Sequence, residues 1–102
     1  MIHVVANIEV VEGKRDAFLA EFHKLVPLVY AEAGCREYSP YVDEATSIPA
    51  QGGGRANVVT VLEKWRDVAS LKAHLEARHM NEFRERVKEL VVDVKLQILK
   101  QA

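Results

Sequence analysis

His74 and His79 are the side chains best suited to acid–base chemistry in this 102-residue chain. A neutral imidazole titrates near pH 6.5, so it accepts a proton at neutral pH. The two stand five positions apart, and on one continuous helix they need not share a face. One of them can line a pocket as a general base, or it can cap a helix by donating to a carbonyl. Trp65 suits an aromatic wall for a planar ligand and equally a large core residue. Glu63 lies two positions earlier, on the same strand face. It is a pocket carboxylate or, as the favoured use, one half of an ion pair with Arg66, Arg84 or Arg86. Asn7 can hydrogen-bond a substrate oxygen or satisfy a local backbone group. Tyr38 and Tyr41 are three apart and point to opposite faces of a strand. Either can reach a substrate, although packing at an interface is the commoner use. Arg78 and Arg84 can meet an anionic substrate tail. Cys35 reads as a small buried hydrophobe, with no histidine at a spacing that would make it a nucleophile. The remaining histidines, His3 and His23, read as strand-face and helix-surface residues. No His-x-x-x-His signature occurs, so no metal site is expected.

The elements that must position these groups follow from periodicity. Ile2 to Val11 alternates as a strand, with Ile2, Val4, Ala6, Ile8 and Val10 on an apolar face and His3, Val5, Asn7, Glu9 and Val11 on a mixed one. Lys14 to Ala33 repeats at the helical period through Phe18, Phe22, Leu25 and Val29. Pro27 predicts a kink or short break in that helix, and Gly34 a left-handed terminator. Cys35 to Val42 is a second strand and Asn57 to Trp65 a third, separated by a mobile loop with the Gly52-Gly53-Gly54 run. That loop is expected to cover the pocket or reach a partner subunit. Asp67 is an N-cap for a short helix striped by Val68, Leu71 and Leu75. Met80, Phe83, Val87 and Leu90 stripe a second helical stretch, and Val91 to Lys100 closes the chain as a fourth strand. The order β-α-β-β-α-β, with its second helix whole or broken in two, is the ferredoxin-like pattern of an antiparallel sheet with helices on one face. Apolar residues of strands one and four then need a partner on the other face, which predicts a homodimer with two sheets packed face to face.

Composition narrows the function classes. A chain of 102 residues, 49% hydrophobic and 28% charged, is expected to form a single domain spanning 1–102 with its own core. The formal net charge of -1 argues against nucleic acid and acidic membrane as partners. No apolar run is long enough to span a bilayer, and the N-terminus lacks the features of a signal peptide. One cysteine excludes an internal disulfide framework, and a cytoplasmic location is expected.

Several stretches together carry a family resemblance. They are Glu32-Ala33-Gly34-Cys35-Arg36-Glu37-Tyr38, Leu62-Glu63-Lys64-Trp65, Ala69-Ser70-Leu71-Lys72-Ala73-His74-Leu75 and His79-Met80. In order and spacing, over nearly the whole chain, they resemble the antibiotic biosynthesis monooxygenase family, in particular its small bacterial quinol monooxygenases. The resemblance implies a dimeric α+β barrel. It also implies oxygenation of a small quinol or phenolic aromatic by O2 without metal, haem or flavin. His74 or His79 would be the base, with Asn7, Tyr38, Glu63, Trp65 and Arg84 around the substrate. The family also holds haem-degrading members, whose iron-ligating histidine falls near Arg84, a residue unable to ligate iron. Asn7 and Trp65 match other residues of that haem pocket. The rival readings are an isomerase or degradative enzyme for a small phosphorylated signal metabolite, and a non-catalytic dimeric ligand-binding module.

Overall fold

The computed structural model describes residues 1–102. Its order is β1 (Ile2–Val10), α1 (Arg15–Tyr30), β2 (Cys35–Tyr41), β3 (Val58–Trp65), α2 (Val68–Glu76), α3 (Arg78–Val87) and β4 (Val91–Leu99). The strands form one antiparallel sheet in the order β2-β3-β1-β4. This is the expected ferredoxin-like arrangement, with the second helix divided at Ala77, whose extended backbone ends α2 and opens α3.

The core lies between the sheet and the helices. Val4, Ala6, Ile8 and Val10 of β1 are buried there, as are Val59, Val61 and Trp65 of β3. The stripe Phe18, Phe22, Leu25 and Val29 of α1 packs on them. Phe22 stacks on Tyr38 of β2 with ring centres 5.3 Å apart, and Phe83 of α3 meets Phe18 and Phe22 edge-on. No helix is long and apolar enough to cross a membrane.

Three expectations change. α1 runs unbroken through Pro27, whose missing N–H leaves only the carbonyl of His23 without its helical donor. His23 is exposed, and water can serve that carbonyl. Second, four of the five exposed apolar residues of β4 lie on the helix-bearing side of the sheet. Pairing of Ile8 with Val94, Ala6 with Leu96 and Val4 with Ile98 puts the β4 stripe on the same face as the core residues of β1. The helices do not reach that edge strand, and Val92, Val94, Leu96 and Ile98 stay 41–57% exposed. Third, the loop of residues 43–56 does not border the cavity beneath the helices. It is tied down by Arg55, whose guanidinium makes two hydrogen bonds to the Asp43 carboxylate at 2.7 and 2.9 Å.

The chain reversal after α1 matters for the site. Gly34 has φ +84°, the left-handed conformation a glycine takes without strain. A Cβ there would collide with the side chain of Ser70 in the first turn of α2. The Gly34 carbonyl accepts from Arg66 N–H at 2.8 Å. Asp67 caps α2 as expected, its Oδ1 accepting from Ser70 N–H at 2.8 Å. These contacts hold the end of α1 against the start of α2.

Candidate functional site

A cavity of about 490 Å³ opens between β1, β4 and the short helices. Ala6, Ile8, Leu71, Met80, Phe83 and Leu96 give it apolar walls, and Glu63, Tyr38 and His74 form its polar end. Arg84 and Lys88 stand at its rim. A second hollow of similar size lies under the 43–56 loop and is lined mainly by polar residues and glycines. The apolar one has the character of a small aromatic ligand site.

His74 is 2% exposed, held near the C-terminal end of α2 between the rings of Trp65 and Tyr38. Its Nδ1 lies 2.9 Å from Glu32 Oε2. His79, on the first turn of α3, places Nε2 2.7 Å from the same oxygen. The carboxylate oxygen accepts from both rings, which fixes His74 with its proton on Nδ1 and a lone pair on Nε2. Burial pulls the His74 imidazole below its usual pKa, against the hydrogen bond and charge of Glu32. The ring is therefore neutral at pH 7.

Glu63 takes no part in an ion pair, contrary to the favoured expectation. It is buried and accepts from Trp65 Nε1–H at 2.9 Å. Its three expected partners are occupied elsewhere: Arg66 with Asp67, Arg86 with Glu21, and Arg84 with the Asn81 amide and the Leu75 carbonyl. Burial pushes the Glu63 carboxyl up to about 7, reinforced by the nearby Glu32 charge and resisted by the indole hydrogen bond. Burial likewise raises the Tyr38 phenol and lifts the Cys35 thiol to about 11, so neither is an anion near neutrality.

Glu21 Oε2 is the one buried side-chain polar atom without a hydrogen-bond partner. His74 Nε2, Glu63 Oε2 and the Tyr38 hydroxyl have no protein partner either, so each of these must reach open space. All three residues line the cavity.

The structure thus gathers His74, Glu63, Tyr38 and Arg84 around one cavity. Trp65 is fully buried behind His74 and supports that ring without forming a wall. Asn7 faces the other side of the sheet, where its Oδ1 accepts from Thr60 Oγ1 at 2.8 Å and from Arg55. His79 reaches the site through Glu32. Reasoning from spacing missed Glu32, which lies 42 and 47 positions from the two histidines. Its only signal was its place in the Glu-Ala-Gly-Cys stretch. The lack of a His-x-x-x-His pair also concealed that Glu32, His74 and His79 bring three donor atoms within 4.8 Å of one another.

Comparison with known proteins gives a concordant result. Residues 1–86 match the family described as antibiotic biosynthesis monooxygenase. The "Probable quinol monooxygenase YgiN" of Escherichia coli (strain K12) is 38% identical over 101 residues, covering 97% of this chain and 96% of that protein. Among solved structures, PA3566 from Pseudomonas aeruginosa superposes with a TM-score of 0.81 at 27% identity, over 99% of this chain and 93% of that one. SO0527 from Shewanella oneidensis gives 0.80 at 28% identity, over 98% and 89%.

Proposed function

The chain belongs to the antibiotic biosynthesis monooxygenase family, and from that premise we propose that it oxygenates a small quinol or phenolic aromatic with O2 as co-substrate and no added cofactor. A monooxygenase-like activity comes with the family and with relatives named for it. The substrate class, the residue roles and the assembly are our reading of the site.

The observation that carries the reading is a neutral, rigidly held His74 that lines an apolar cavity and whose Nε2 has no protein hydrogen bond. A hydroquinone in that cavity gives a hydroxyl proton to His74 Nε2. The resulting anion is electron-rich enough to reduce O2 directly. One oxygen atom enters the ring and the other leaves as water, so that hydroquinone plus O2 gives hydroxyquinone plus H2O. The electrons come from the substrate. Apolar walls exclude water from the anion, and the imidazolium that forms is stabilised by Glu32 across Nδ1–H. Glu63 and Tyr38 hydrogen-bond the oxygens of the substrate, and Arg84 attracts an anionic substituent at the rim. Asn7 has no part in this scheme, and Trp65 acts as the support of His74.

We also propose that the protein works as a homodimer. The half-exposed β4 stripe supports this, as an apolar surface that a second copy would cover.

The test is oxygen uptake by metal-stripped protein over a panel of reduced benzo- and naphthohydroquinones, against heat-denatured protein. Saturable uptake above autoxidation is expected. His74→Ala should lower turnover at least a hundredfold, in the range of a lost general base. Uptake no greater than the denatured control, or a His74→Ala loss under threefold, would overturn the reading.

A further inference from the structure

The Glu32–His74–His79 cluster has a property that proton transfer does not use. Two imidazole nitrogens and one carboxylate oxygen form a donor set suited to zinc and its neighbours among the divalent transition metals. Here they come from three places, the turn after α1, α2, and the start of α3. Tertiary packing therefore holds the set, with the close approach of Gly34 to Ser70 beside it.

We infer that Glu32, His74 and His79 bind one divalent transition-metal ion, and that its occupation switches His74 from proton acceptor to proton donor in the cavity. Glu32 Oε2 stands 2.9 Å from His74 Nδ1 and 2.7 Å from His79 Nε2. Donors about 2.0–2.1 Å from a tetrahedral zinc ion stand roughly 3.3 Å apart. Lengthening each of these two contacts by roughly half an ångström sets the carboxylate oxygen at that separation from both nitrogens, and the three donor atoms already lie within 4.8 Å of one another. Exposure grades from 2% at His74 through 13% at Glu32 to 25% at His79, so an ion enters from the His79 side. Glu32 Oε1, which has no protein hydrogen bond, or a water completes the coordination.

The consequence for His74 follows from imidazole chemistry. Ligation through Nδ1 requires the lone pair there, so the ring proton moves through solvent to Nε2. His79 likewise ligates only with a free lone pair on Nε2. The neutral His74 ring loses no net proton in the exchange. The nitrogen facing the cavity then carries a hydrogen and cannot take a proton from a hydroquinone. Metal binding and base catalysis exclude each other, and zinc acts as an inhibitor at this site. The inhibition rests on the function proposed above, whereas the binding stands independently of it.

The experiment is a competition titration of the full chain with Zn2+ against a chromogenic chelator, repeated with Co2+ to read coordination from its visible absorption. One ion per chain is expected, with affinity reduced at least tenfold in both Glu32→Gln and His79→Ala. His23→Ala, on the exposed face of α1, should bind as the parent does. Circular dichroism melts establish that each variant is folded. His79 is partly exposed, and glutamine at position 32 keeps an acceptor for both rings, so both should pass. Absence of stoichiometric binding, or binding unchanged in both variants, would overturn the site. If the hydroquinone assay detects turnover, Zn2+ should suppress it and a chelator should restore it. Zn2+ bound at the site with turnover unaltered would overturn the switch. Absence of turnover from metal-free protein would count against the proposed function alone.

Discussion

Glu63 illustrates how burial changes the chemistry of a single residue. In the unfolded chain its carboxyl titrates near 4.5, and in the fold burial moves it to about 7. Between those values the folded state holds a proton that the unfolded state has lost. The stabilisation is complete below pH 4.5 and disappears as pH rises through 7, a change of roughly 3 kcal/mol. Melting temperature should therefore fall between pH 5 and 8 through this group. Glu63→Gln, which keeps an acceptor for Trp65 Nε1–H, should flatten that part of the profile and raise stability at pH 8. A profile identical to that of the parent would mean that Glu63 ionises as an ordinary surface carboxylate. Glu63 was legible in the sequence as a chemical residue. Its unpaired state was not, because which partners Arg66, Arg84 and Arg86 take is set by packing.

At the scale of elements, the site depends on two breaks in helical structure. The extended backbone at Ala77 separates α2 from α3 and allows His74 and His79 to converge on one carboxylate. The turn at Gly34 brings Glu32 to them. Gly34→Ala forces a side chain into left-handed backbone and against Ser70, and should cost roughly 1–3 kcal/mol. Chemical denaturation would measure it, and a loss under 0.5 kcal/mol would show that the turn relaxes freely. Both breaks were visible in the sequence, Gly34 as a terminator and the second helix as divisible. The sequence also suggested a disturbance at Pro27, where none is needed because the freed carbonyl faces solvent.

For the whole molecule the open question of assembly lies at β4. Four half-exposed aliphatic side chains continue the core face of β1 beyond the helices. If a second copy covers them, the double variant Val92→Asp and Ile98→Asp should shift the protein from dimer to monomer in sedimentation while the fold persists. Neither residue lines the cavity, so the substitution spares its walls. A parent that sediments as a monomer at micromolar concentration would remove the proposal.

By itself the sequence determined the element order, the helix-facing residues and the ferredoxin-like class. Those properties are local, since alternation and the 3.6-residue period need only a few neighbouring positions. It also pointed to His74, through residue type. Only the tertiary structure decided that the cavity opens on the face of the sheet away from Asn7, that Trp65 supports the histidine from behind, and that Glu32 joins both imidazoles. Each of these depends on which strand faces and chain turns meet in space. A hydrogen bond between residues 42 or 47 positions apart leaves no period in the chain, because packing brings its partners together and spacing does not.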